Sequence, residues 1–231
     1  QLKRIKKPTS KRRLREATHL FNQYSNVFVS GNFILGFPGE TFGEMLDSYN
    51  FARELDWDWA SFYICQPLKG TRDFETFAAM GDARCVKEDY NKVLNPGKSA
   101  LRGEFGHDWK DNHSIRGGMD IFELPREQVP SPQQLQEIWF TFNFLANFSG
   151  NRNFRDTSHI HKLTAWLEAI VHAYPYDASM VVALAKAYQI MGQLQQAQEC
   201  VDKFETLLNN SWYWQKRLKQ FPELRTFFLG E

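Results

Sequence analysis

The stretch Gly31-Asn32-Phe33-Ile34-Leu35-Gly36-Phe37-Pro38-Gly39-Glu40-Thr41 decides how the first third of the chain is read. Its opening residues close a run from Val27 to Leu35 that is rich in β-branched and aromatic side chains, the composition of a buried strand. Gly36-Phe37-Pro38-Gly39 ends that run as a turn. Thr41 with Glu44 then makes a capping box, because each side chain can satisfy a free backbone N–H of the other. The helix it opens carries Phe42, Met45, Tyr49 and Ala52 on one stripe. Upstream, Leu14, Ala17, Leu20, Phe21 and Tyr24 recur at helical spacing, and Ser25-Asn26 ends that helix. Downstream, Trp59 to Cys65 reads as a second strand and Gln66-Pro67-Leu68-Lys69-Gly70 as a second turn. A helix from Thr71 to Gly81 is predicted to bury Phe74, Phe77 and Ala78.

The order α-β-α-β-α with short connections predicts neighbouring parallel strands with right-handed crossovers. Two such strands do not form a stable sheet alone, so they are expected to finish a larger barrel or open sheet. A chain that opens on Gln1 rather than Met is expected to have sequence before it. Residues 82–130 change character: Asn95-Pro96-Gly97, Gly103, Gly106 and Gly117-Gly118 punctuate a polar stretch with weak periodicity, expected to connect and to cover a substrate. From Ser131 onward the chain turns helical. Ser131-Pro132 starts a helix with Leu135, Ile138, Trp139, Phe142 and Leu145 on one face. Ile160, Leu163, Leu167, Ile170 and Val171 mark the next, which ends at Tyr174-Pro175. Asp177 caps a third, Gly192 separates it from a fourth beginning at Leu194, and Ser211 caps a fifth with Trp212, Trp214 and Leu218. The division is therefore 1–81, 82–130 and 131–231.

Composition excludes several classes. Of 231 residues 42% are hydrophobic, enough for a buried core, and the net charge of +1 gives no global field for nucleic acid. Eight cations from Lys3 to Arg15 precede the first acid, Glu16, and read as a solvated helix face or arm. No segment has the roughly 18 consecutive apolar residues of a membrane span, and the basic run lacks the apolar core of a signal peptide. Cys65, Cys85 and Cys200 are far apart, without disulfide, zinc or iron–sulfur spacing, which suits a reduced cytoplasmic protein.

Two resemblances follow from these residues. Leu184, Ala185, Tyr188, Gly192, Ala197, Val201 and Phe204 fall where a tetratricopeptide repeat places its large, small and turn positions, so the third and fourth helices resemble one such hairpin. That resemblance implies contacts with a protein partner or with an N-terminal half of the same protein. The first 80 residues resemble the C-terminal strands of a radical S-adenosylmethionine barrel, most of all the branch with an upstream cobalamin-binding domain. The motifs are Gly31 to Thr41, then Phe62-Tyr63-Ile64, then Pro67-Leu68-Lys69-Gly70-Thr71.

The implied fold is the end of a partial (β/α) barrel, followed by an all-α repeat-like domain. The implied chemistry is generation of a 5′-deoxyadenosyl radical, or methyl transfer, on an unknown substrate. S-adenosylmethionine would be held at the barrel mouth with Asn32, Ile34, Leu35, Gly36, Tyr63 and Cys65 as the cofactor-binding residues. Ile34 and Leu35 would supply apolar wall to adenine, and Gly36 and Gly39 would let backbone approach closely. Alternation along the strand sends only one set inward. The family's fifth-strand pattern, G-x-I-x-G-x-x-E, is matched at Ile34 and Gly36. Asn32 stands at its first glycine and Gly39 at its glutamate; Glu40 comes one residue late and receives no role. The family's C-x3-C-x2-C triplet is absent, so a 4Fe–4S cluster and any cobalamin would be held upstream of these residues, and the chain alone is expected to be inactive.

Other chemistry is weaker. His159 and His161 diverge at a helix start, while His107, Asp108 and His113 lack a diagnostic ligand framework. Ser30 and Ser61 lack a nucleophile-elbow context. Glu44, Asp47 and Glu54 form a solvent-facing stripe, and Trp57 and Trp59 bracket Asp58 as packing residues. The competing function is a non-catalytic helical-repeat interaction module; nucleic-acid binding by the basic arm ranks last, and no membrane partner is expected.

Overall fold

The two apolar runs pair with each other. In the computed structural model, which describes residues 8–66, 68–80 and 118–229, β1 (Ser30–Leu35) and β2 (Trp59–Ile64) lie side by side and parallel. Ser30 is opposite Trp59 and Leu35 is opposite Ile64. Between them runs α2 (Phe42–Glu54), whose capping box forms as the sequence requires: Glu44 N–H donates to Thr41 Oγ1 at 3.3 Å and Thr41 N–H to Glu44 Oε2 at 3.0 Å. Its stripe of Phe42, Met45, Tyr49 and Ala52 is buried. Helix α1 (Lys11–Phe21) precedes the strands, and α3 (Arg72–Ala79) follows them with Thr71 as N-cap. In α3, Phe77 is buried and Phe74 half-buried, but Ala78 is exposed. This short helix meets the protein mainly through one small cluster of Phe37, Cys65 and Phe77, too narrow to cover a third position.

The remaining described chain is helical: a 3-10 turn (Gly118–Glu123), α4 (Pro132–Asn147), α5 (Arg152–Arg155), a 3-10 turn (Thr157–His159), α6 (Ile160–Ala173), α7 (Ala178–Ile190), α8 (Leu194–Asn210), α9 (Trp212–Gln220) and α10 (Glu223–Leu229). The chain is thus of mixed α/β class, with a small parallel sheet and a helical C-terminal region. Ser131 and Gln134 form a second reciprocal cap on α4, with Pro132 at its first turn. The hairpin of α7 and α8 turns at Gly192, whose φ of +74° a side chain would resist. Ala185 and Ala197 are buried where those helices meet, Phe204 is fully enclosed, and Tyr188 is half-buried with its hydroxyl donating to Glu168 at 2.8 Å. Leu194 opens α8 in solvent, at 71% exposure.

Helix α4 is apolar on two sides. Leu135, Ile138 and Phe142 join Leu35, Phe42, Met45, Tyr49, Phe62 and Ile64 in one core. Phe140, Phe144 and Phe148 join Trp59 and the buried residues of α6, α7 and α8 in another. Each fully buried phenylalanine stabilises by roughly 1.5–3 kcal/mol, so this one helix couples sheet to helical region. No helix among the described residues is long and apolar enough to cross a membrane.

Candidate functional site

Side chains alternate along a strand, so register decides which of them share a face. Ile34 stands opposite Tyr63, and Asn32 opposite Ser61. These four occupy the face turned away from α2. Ile34 and Tyr63 are each 41% exposed, Asn32 is exposed and Ser61 is half-buried. The alternate set of Phe33, Leu35, Phe62 and Ile64 faces the helices. Of the residues nominated from sequence, Asn32, Ile34 and Tyr63 therefore come together. Leu35, with no exposed surface, points the other way into the core.

Gly36 ends β1 with φ +78°, and Gly39 follows at +68°. Between them the chain folds back so that the fully buried Glu40 carboxylate accepts the N–H of Gly36 at 2.6 Å and of Phe37 at 3.0 Å. Glu40 thus anchors the turn at the C-terminal end of β1. Cys65 extends the parallel pairing one step, its N–H donating to Leu35 O at 2.7 Å, and its thiol closes the cluster with Phe37 and Phe77. It is buried, not presented at a mouth.

The two edges of the sheet differ. In a parallel pair alternate residues send their backbone groups to the outer edge. On β2 these belong to Ala60 and Phe62, and asparagines of α4 meet them as a strand would. Asn147 accepts Ala60 N–H at 2.7 Å and donates to Ala60 O at 2.7 Å. One helical turn earlier, Asn143 accepts Phe62 N–H at 3.0 Å and donates to Phe62 O at 3.1 Å, where Trp139 Nε1 also donates at 2.7 Å. Asn151 continues the series by donating to Asp58 O at 2.9 Å. The match is geometric: four helical residues rise about 6 Å, and two strand residues about 6.6 Å. On β1 the outward groups belong to Ser30, Asn32 and Ile34, and no strand pairs with that edge among the described residues.

At the base of the strands Asp58 is fully buried. Its carboxylate takes Lys162 Nζ at 3.0 Å, Val29 N–H at 2.7 Å and Asn153 Nδ2 at 3.0 Å, with Arg152 Nε at 3.8 Å. Lys162 also donates to Val27 O at 3.0 Å. Sequence reading missed both constellations. The asparagine spacing 143, 147, 151 was the available signal, whereas nothing near Asp58 in sequence announces Lys162.

Over 45 residues the chain is similar to a methyltransferase. That relative, an uncharacterized methyltransferase of Pyrococcus horikoshii, is 49% identical over a stretch covering 20% of this chain and 10% of its own length. The likeness is thus local, and the chain spans a small part of that protein. Neither a protein-family profile nor a solved structure matches the chain.

Among the described residues no group of three or more His, Cys, Asp or Glu side chains is arranged to hold a metal ion. The rings of His159 and His161 do not diverge as expected but meet edge to face, 6.1 Å apart at 76°. Cys65 is enclosed by phenylalanines and Cys200 sits on α8, so these two thiols do not fit an iron–sulfur cluster. His107, Asp108, His113, Cys85 and the glycine-punctuated residues 82–117 lie outside the described residues, as does Pro67. Arg15 with Glu54 and Arg126 with Asp47 are exposed ion pairs at 2.6 and 2.8 Å, so two members of the acidic stripe of α2 face solvent, while Glu44 is half-buried in its cap. Such exposed pairs add little stability.

Proposed function

We propose that this chain is the C-terminal part of a radical S-adenosylmethionine enzyme of the cobalamin-dependent type, acting by adenosyl-radical chemistry or by methyl transfer. The observation that carries it is the asymmetry of the sheet. Among the described residues β2 is edged by asparagines, while no strand meets the outer edge of β1, whose outward face exposes Asn32 and Ile34 beside Tyr63. A partial barrel needs both features at its closing strands. The short likeness to a methyltransferase supports the same reading.

The residues present fit the adenosyl end of the cofactor. Ile34 and Tyr63 offer adjacent partly exposed apolar surface, Asn32 offers an amide donor and acceptor beside them, and the Cβ-free Gly36 lets backbone come close. Glu40 holds that turn rigid from below. S-adenosylmethionine would supply the methyl group or the adenosyl radical. The cluster and cobalamin find no ligands among the described residues and would be held by residues outside this chain.

The test is anaerobic reconstitution of the natural-length protein with iron and sulfide, followed by assay of S-adenosylmethionine cleavage. Cleavage by that protein, with none by residues 1–231 alone, is expected. A natural-length protein that takes up no iron would end this reading and leave the interaction module as the function.

A further inference from the structure

A cavity of about 220 Å³ lies between β2 and the helical region, beside Trp139 and Asn143 at the outer edge of β2. Trp59, Trp166, Tyr174, Tyr213 and Trp214 contribute its aromatic walls, and it reaches Ser61 and Tyr63 on the same face of β2 as Trp59. One acidic side chain lines it. Asp177, 4% exposed, caps α7 through a single oxygen: Oδ1 accepts the N–H of Ser179 at 3.0 Å, the Ser179 hydroxyl at 2.5 Å and the N–H of Met180 at 3.2 Å. Among the described residues nothing donates to Oδ2 and no cation pairs with this carboxylate. The cation Arg217 lies over the Tyr213 ring and is engaged elsewhere, in a bidentate pair with Glu137 of α4 and stacked on Phe140.

We propose that this cavity binds a compact organic cation, an alkylammonium or quaternary ammonium group, between its aromatic walls and the free oxygen of Asp177. Aromatic faces attract cations through the ring quadrupole, most strongly where water is excluded. A neutral apolar ligand would leave a desolvated carboxylate facing it unpaired, which is costly. The N-terminus of α7 carries about half a positive charge, which the full charge of Asp177 outweighs. Burial raises the Asp177 carboxyl to about 6, so it is ionised at neutral pH. Tyr213 of α9, which also contacts the Arg217 guanidinium, senses this carboxylate, and burial raises its hydroxyl, keeping it neutral; Tyr63 and Tyr174 are the other phenols of the lining.

This inference goes beyond the adenosyl reading; the two share Tyr63, and Asp177→Asn, which alters no residue of that reading, tells them apart. Choline and its uncharged carbon isostere 3,3-dimethyl-1-butanol are titrated into the 231-residue chain by calorimetry and tryptophan fluorescence. Choline is expected to bind about tenfold or more tightly than the alcohol, and to lose affinity as pH falls from 8 to 5 and Asp177 takes up a proton. Asp177→Asn keeps an equally good helix cap, and should remove the preference for choline while leaving the alcohol unchanged. Tyr174→Leu, at a half-buried wall position, should weaken choline as well. Equal affinity for the two probes, no binding of choline, or choline binding unchanged in Asp177→Asn would each overturn the proposal.

Discussion

The outer edge of β2 and the outer edge of β1 are built to opposite ends. On β2, the N–H and C=O groups of Ala60 and Phe62 are met by Asn147, Asn143 and Trp139. On β1, no strand among the described residues meets the corresponding groups of Ser30, Asn32 and Ile34. A sheet edge is a template for further pairing unless something covers it. Among the described residues the difference therefore gives the sheet a direction, capped at β2 and without a further partner strand at β1. The two faces repeat the lesson, with Leu35 enclosed and its neighbour Ile34 at 41% exposure.

The largest effect should come from the base of the sealed strand. Lys162→Met leaves Asp58 buried with only the more distant Arg152 as a cation, and should destabilise by about 3–4 kcal/mol in denaturant unfolding at pH 7. Asn147→Leu is next. It strands the N–H and C=O of Ala60 and should cost about 2–3 kcal/mol, measured the same way. A third experiment contrasts the ion-paired Asp58 with the unpaired Asp177. Because burial raises the Asp177 carboxyl from 3.8 to about 6, the folded state holds that proton more tightly than the unfolded one. Wild-type stability from this group is then lost as pH rises from about 4 through 6. Asp177→Asn should be more stable than wild type by about 2 kcal/mol at pH 8, with the difference gone near pH 4. The smallest effect belongs to the outward face of β1: Asn32→Ala should change stability by less than about 0.5 kcal/mol. A loss as large as that at Asn147 would erase the contrast.

Much of the fold was legible because local rules act within a few residues. Thr41 with Glu44, Ser131 with Gln134, and the turn glycines Gly36 and Gly192 announce themselves by spacing. The parallel pairing followed from the order of elements. What stayed hidden depends on contacts across 80 or more positions. Asn143 to Phe62, Asn147 to Ala60 and Lys162 to Asp58 join residues whose separation nothing in a single sequence encodes. The split among the site residues was half legible. Alternation required that Ile34 and Leu35 face opposite ways, but which of them would meet the helices was decided by the packing of α2 and α4.

Backbone amide hydrogen exchange tests the asymmetry of the sheet most directly, because it reads both outer edges in one experiment on the 231-residue chain. The amides of Ala60 and Phe62 should exchange orders of magnitude more slowly than those of Asn32 and Ile34. Equal protection at the two edges, or faster exchange at Ala60 and Phe62, would contradict a sheet that is sealed at β2 and open at β1.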